Sequence, residues 1–427
     1  MNPIFRLAFL SALLISVIPS VQADDLPQSS RLGDITIKEA KKTFPSVIIS
    51  MSGLERGQEI TPGILESARV AILSSSLFET VEFGLKKSNV MNSYDLTITV
   101  KEKWSWFIIP NFRYSSDGIG GGLAYGDSNF MGYAKKVLIA GNWSKDNRTA
   151  VLGYRDPSVL GSMMTLSLDA IYRWDTMKEY SHRMEVRKVR LKEMGFTLLP
   201  GIQWNPRFST SIGGFYRLVK HRLLSQAGGA RLLSADALRD GHDIAGVVQF
   251  DYKDTQNVNG LPSGSEISLE TTISDNRFLS DFDYFRQSLR AMHGRSIWEH
   301  WLHYVGNGSA QFGSTLPFYR ELQMGGTNLR GYRDRQFRGD TRYSFNHELI
   351  FHIYNFKRLI LRGVTFWDSA VIYFKDRKFK RDNWRNGIGG GLRVYFKGIA
   401  IPLVGYDFGY GVDDNAFEHY LNIGVNF

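Results

Sequence analysis

The chain has 427 residues, of which 42 are glycine, 12 proline and none cysteine, with 13% aromatics and a formal net charge of +10. The lack of cysteine excludes disulfides, thiolate metal centres and a lipidated cysteine. Negative mean hydropathy beside so much aromatic and glycine content suits a membrane β-barrel, in which only every second strand residue meets lipid. Net positive charge suits an anionic surface such as lipopolysaccharide better than nucleic acid.

Residues 1–23 read as a secretory signal: Arg6 supplies the positive start, 8–18 the apolar stretch, and Val21-Gln22-Ala23 the small-residue cleavage site. Its removal subtracts one positive charge (+10 − 1 = +9). Beyond Ala23 no apolar run is long enough for a transmembrane helix. Residues 24–46 are polar and read as an N-terminal arm, with a short helix expected at 35–42. Residues 47–103 read as a small α+β domain. Val47, Ile49 and Met51 alternate as a strand would, and Thr61-Pro62 is an N-cap followed by a first-turn proline. Ile64, Ala68, Ala71 and Ile72 then share one helical face. Strands are expected at 77–83 and at 94–101, where Tyr94, Leu96, Ile98 and Val100 alternate strictly.

From 104 to 427 the helical period gives way to segments of about ten residues that alternate apolar and polar between Gly, Asn, Asp and Ser turns, as spanning strands do. Met164, Leu166, Leu168, Ala170, Tyr172 and Trp174 form one such apolar face. Sixteen antiparallel strands are expected, starting near 104, 118, 134, 148, 162, 185, 207, 242, 264, 283, 298, 342, 359, 384, 399 and 418. The sixth is unusually charged. The longest connections, 221–241 and 315–341, then fall on the same end of the barrel, the outer one, and 222–240 reads as a surface helix.

The 315–341 connection contains Gly325 and Gly326 and the run Leu329-Arg330-Gly331-Tyr332. Further along, Phe366-Trp367-Asp368 lies on one predicted strand, Gly387, Gly389, Gly391 and Arg393 alternate on the next, and the chain closes on Gly424 and Phe427. Asn129-Phe130-Met131-Gly132 stands early in the alternating region. Together and in this order these motifs resemble the bacterial surface-antigen superfamily of outer-membrane assembly and translocation barrels, the BamA- and TamA-like proteins and two-partner-secretion transporters. The resemblance covers 47–427. It implies one periplasmic POTRA domain ahead of a sixteen-stranded barrel in the bacterial outer membrane. Ala370 and Ala134 stand where the family has glycine, and a single POTRA domain is fewer than these relatives carry.

The resemblance also implies a function: assembly, insertion or translocation of unfolded outer-membrane or secreted polypeptides, without cofactor, metal or nucleotide, by a monomeric barrel in contact with lipid and lipopolysaccharide. The alternatives are a dedicated two-partner-secretion pore and a passive channel. The seam between first and last strands is the expected place of action, because a barrel hides its edges only if that seam is paired. Arg330 is expected to reach Asp368 inside the lumen, since Asp368 shares parity with Phe366. Arg333, Arg335, Arg338 and Arg342 are expected mostly to face water.

Other chemistries fit less well. A phosphate-binding loop needs lysine after its second glycine and a following helix. "YGDSN" around Ser128 resembles a lipase block without its downstream partners. His293, His300, His303, His347 and His352 read as polar strand residues rather than bases. The basic run 374–384 reads as a loop able to meet phosphates or simply water.

Overall fold

Period-two patterning governs most of the chain, and a computed structural model shows how it closes. It describes residues 30–427 except 76, 91, 116–117, 182, 229, 234–236, 259–260, 299–300, 358, 377–382, 397–401 and 424–427. The expected signal at 1–23, His300, Gly424 and Phe427 lie outside the described residues. The chain forms two units, one of residues 1–104 with 131–133 and one of the remainder.

The small unit runs β1 (Arg31–Lys38), α1 (Pro45–Ser52), α2 (Pro62–Ser74), β2 (Phe78–Lys87) and β3 (Ser93–Glu102). Its sheet order is β1-β3-β2, with β1 parallel and β2 antiparallel to β3. Two expectations are corrected here. The segment expected as a helix at 35–42 contributes β1, because Ile35, Thr36 and Ile37 are β-branched and pair with Leu96, Thr97 and Ile98. The segment expected as a strand at 47–51 is α1: Pro45 opens it, Gly53 closes it at φ 65°, and Ile48 and Ser52 bury one face a turn apart. α2 forms as expected, with the Thr61 hydroxyl accepting the Ile64 N–H at 3.3 Å. The chain between β1 and α1 is fixed by Glu102, whose carboxylate accepts the Lys41, Lys42 and Thr43 N–H groups at 3.2, 2.8 and 2.7 Å. Partial burial pushes the Glu102 carboxyl up, but these hydrogen bonds outweigh it and hold it below the usual range.

The second unit is a closed antiparallel barrel of sixteen strands. Its first eight are β4 (Trp106–Ser115), β5 (Gly118–Phe130), β6 (Lys135–Ser144), β7 (Asn147–Asp156), β8 (Met164–Ser181), β9 (Met184–Asn205), β10 (Phe208–Gln226) and β11 (Gly241–Val258). β12 (Leu261–Ser274), β13 (Tyr284–Trp298) and β14 (Leu302–Ser314) follow. A small hairpin, β15 (Leu322–Met324) and β16 (Phe337–Gly339), interrupts the series. β17 (Thr341–Asn355), β18 (Leu359–Tyr373), β19 (Trp384–Phe396), β20 (Pro402–Gly411) and β21 (Ala416–Ile423) complete it. Every expected start lies within four residues of an observed one, the widest gap being 298 against Leu302.

Alternation sorts the two faces. Ile139, Leu152, Phe196, Ile212, Trp367 and Ile388 are exposed on the outside, and the buried polar residues of the strands point into the lumen. Among the described residues no helix is long and apolar enough to cross a membrane. The charged sixth barrel strand, β9, keeps the same parity: Arg187, Val189, Leu191 and Glu193 are buried inward, and Arg190 lies outward, 4.3 Å from the Trp174 ring. The surface helix expected at 222–240 is corrected. β10 continues to Gln226 because Arg222 and Leu223 pair with Arg190 and Val189, and the described residues beyond it are not helical.

Candidate functional site

The connection from β14 to β17 turns inward. Leu322, Met324, Leu329 and Tyr332 are each at most 3% exposed and pack on Ala370 and Ile372 of β18. Three glycines permit the path. Gly325, Gly326 and Gly331 have φ of 121°, 74° and 96°, a region costly for side chains. A Cβ on Gly331 would stand 2.3 Å from the Gly411 nitrogen.

This path delivers Arg330 to the inner wall. Its Nε and Nη2 donate to the two oxygens of Asp368, each at 2.7 Å, and its backbone N–H donates to the same carboxylate at 2.9 Å. Nη1 donates to Glu348 of β17, and the guanidinium lies 3.5 Å from the Phe366 ring centre. Asp407 of β20 stands 3.6 Å away and also takes both Nη groups of Arg393. Asp368 is fully buried and the Arg330 side chain is 5% exposed, so the fork-to-fork pair sits out of water. Burial works against the Arg330 charge. The Asp368 hydrogen bonds and the Glu348 and Asp407 charges outweigh it and hold the guanidinium above its ordinary value.

The wall is shaped to receive the loop backbone. A Cβ on Gly387 would stand 1.9 Å from the Arg330 carbonyl oxygen; on Gly409, 2.5 Å from the Gly331 nitrogen; on Gly411, 2.6 Å from the Gly331 oxygen. Gly389 leaves room for the Phe366 ring and Gly391 for Asp407. The Tyr332 hydroxyl has two acceptors for its one proton, the Asn386 carbonyl and Asp413, each at 2.9 Å.

The motif reaches both strands of the seam. On the last strand, β21, the buried Tyr420 hydroxyl accepts the Gly331 N–H at 3.1 Å and donates to the Tyr332 carbonyl at 2.7 Å. On the first strand, β4, Arg113 donates to Asp334 at 2.7 Å. Those strands pair directly at Leu421–Tyr114, Asn422–Arg113 and Ile423–Phe112.

The neighbouring arginines correct the expectation of a solvated loop. Arg335 binds Asp175 at 2.5 Å, Arg338 binds Glu321 at 2.9 Å, Arg342 donates to the Gln323 carbonyl and Arg333 to the Arg183 carbonyl. The loop folds inward, so Arg335, Arg338 and Arg342 meet wall and loop acceptors, while the Arg333 side chain stays 41% exposed. Glu348, Asp407, Tyr420, Gly409 and Gly411 were not singled out from the sequence. The alternating glycines of "GYDFGYG" at 405–411, matching those of β19, are the signal for the last two.

The other sequence candidates are placed elsewhere. Ser128 Oγ donates to the Ser105 carbonyl, while His293, His303 and His347 bond Ser265, the Pro262 carbonyl and Tyr304. His352 stacks edge-on with Trp301. Much of the 374–384 loop lies outside the described residues; its Lys375 N–H donates to Asp340.

Comparison with known proteins fits this architecture. Residues 129–416 match the Omp85 superfamily domain. No curated protein sequence matches the chain. Among solved structures, BamA from Haemophilus ducreyi lacking POTRA domains 1–3 superposes with a TM-score of 0.65 at 16% identity, covering 93% of this chain and 85% of that one. CdiB from Escherichia coli gives 0.65 at 15% identity, covering 93% and 77%. CdiB from Acinetobacter baumannii gives 0.64 at 13%, covering 93% and 74%. Identities this low speak for the fold alone; the domain match, which spans well over half of the chain, speaks for descent. The chain belongs to the Omp85 superfamily.

Proposed function

We propose that this protein assembles or translocates unfolded polypeptides at the bacterial outer membrane, acting through the β4–β21 seam with the 315–340 loop as an internal latch. One observation carries the reading: a single loop segment bonds Tyr420 on the last strand and Arg113 on the first. A seam held partly from inside is one that can be released, and a released strand edge offers backbone donors and acceptors to an incoming strand. The small unit is read as a single POTRA domain on the periplasmic side. β2 and β1 are the two edges of its sheet, and β2 carries the exposed Glu79, Thr80 and Glu82. An extended client segment can add to such an edge.

Engineered cysteines test the seam cleanly, since the chain has none of its own. Tyr114 and Leu421 are direct register partners. A Tyr114→Cys/Leu421→Cys pair, oxidised, should abolish insertion of a client barrel into vesicles, and reduction should restore it. Full activity of the locked form would discard the seam and leave passage through the lumen. Outer-membrane proteomics after depletion separates the alternatives further: many barrels lost indicates insertion, one secreted protein lost indicates a dedicated pore.

A further inference from the structure

A second lumenal feature stands apart from the latch. Between the loop and the wall lies a cavity of about 350 Å³, lined by six arginines against three acids, Asp175, Glu193 and Glu321. All three acids are already committed. Asp175 is bound by Arg335 at 2.5 Å, Glu193 by Arg173 at 3.0 Å, and Glu321 by Arg231 and Arg338 at 2.6 and 2.9 Å. Arg320 reaches Asp243 outside the lining at 3.4 Å. Arg286 and Arg290 of β13 and Arg342 of β17 form no ion pair among the described residues. Counting Glu270, which attracts Arg286 without touching it, three cations still face one anion.

The donors say the same thing independently of the charges. The Nε groups of Arg173, Arg286, Arg320 and Arg342 are buried without an acceptor. Buried donors left unmatched are uncommon in native proteins, and charged ones are costly. Arg286 and Arg290 project inward from one face of β13, with Ser288 between them. Arg342 stands opposite Gln311, whose amide is turned away to Ser288 at 2.9 Å. Guanidinium forks from β13, β17 and the loop therefore line one space.

We propose that this cavity binds a phosphate-bearing anion about the size of a diphosphate, held by Arg286, Arg290 and Arg342 from the wall and Arg320 from the loop. Phosphate oxygens match several forks at once, which a single carboxylate does not. The volume is on the order of ten waters, enough for a hydrated diphosphate and too little for a polypeptide strand. Because the ligand touches both loop and wall, its binding stabilises the inward loop. This inference does not depend on the seam reading.

The test uses the full chain in an uncharged detergent, titrated calorimetrically with inorganic pyrophosphate. We expect saturable one-to-one binding and a raised Tm, since a ligand of the native state alone stabilises it. Arg286→Gln/Arg342→Gln should weaken binding at least tenfold. Arg290→Gln, an exposed side chain whose loss disturbs little packing, should weaken it two- to fivefold. Arg155→Gln, at a pair between β7 and β8 outside this cavity, should change nothing. Heat-dependent electrophoretic mobility checks that each variant is folded. Competition by phosphatidylglycerol in mixed micelles assigns a lipid headgroup as the source, and its absence assigns a free phosphate. No pyrophosphate binding, or unchanged binding in the folded double variant and in Arg290→Gln, overturns the proposal.

Discussion

The latch and the arginine cavity share one loop yet have opposite charge logic. Around Arg330 two arginines, 330 and 393, meet three acids, Glu348, Asp368 and Asp407, all supplied by the barrel itself. In the cavity Arg286, Arg290 and Arg342 have no carboxylate of their own. The first arrangement is complete without anything from outside and bonds the loop to the wall. The second is incomplete, so removing one of its arginines relieves repulsion instead of stranding a charge. That contrast is measurable.

The largest effects belong to the latch. Arg330→Ala strands the buried Asp368 carboxylate, and Asp368→Ala takes from Arg330 its bidentate partner while Glu348 remains; each should cost up to about 3–5 kcal/mol. The double variant should be little worse than either single, because both remove one interaction. Urea midpoints, followed by heat-dependent mobility, give the three values; strict additivity would break the idea that the pair acts as a unit. Gly387→Val comes next. Its Cβ would meet the Arg330 carbonyl oxygen at 1.9 Å, a backbone atom that cannot swing aside. We expect about 1–3 kcal/mol of overpacking cost and new protease cleavage within 325–336. An uncleaved, equally stable variant would show that the wall tolerates bulk there.

Tyr420→Phe should cost less, about 1–2 kcal/mol, from two lost hydrogen bonds to the loop backbone. Its value against the comparison is positional: loosening should be greatest at Gly331 and Tyr332, as read by amide exchange, and little at Arg342. The smallest effect is expected in the cavity. In phosphate-free, low-salt buffer Arg286→Gln should change stability by no more than about 0.5 kcal/mol, in the stabilising direction, and added salt should erase the gain. A loss of several kcal/mol would place Arg286 with the latch residues and end the distinction drawn here.

The barrel is largely legible in the sequence, because spanning strands must alternate and turn chemistry marks their ends. Arg330 and Asp368 were legible as a pair, one from its tetrapeptide and the other from its parity with Phe366. Glu348, Asp407 and Tyr420 were not. Inward polar residues are ordinary on barrel strands, and which of them meet depends on a register that spans five strands. Local patterns also misled where two periods overlap. Val47, Ile48 and Ile49 are apolar in succession and serve a strand or a helix equally, so Pro45 and Gly53 decide for α1. Ile35 and Ile37 form a strand only because β3, some sixty residues later, lies parallel beside them.

The Tyr420 hydroxyl, accepting from Gly331 and donating to Tyr332, has a consequence in terms of linkage. It ties the position of the last strand to the docked state of the loop, so the two equilibria share a coupling free energy. Reciprocity follows: whatever draws β21 away from β4 must also favour undocking, and by the same factor. A polypeptide bound at the seam should therefore make residues 325–336 easier to cut by protease, although it touches none of them. Conversely, on the proposed reading anything that clamps the loop to the wall should make the seam harder to part, so filling the lumenal cavity should slow the opening of the barrel edge.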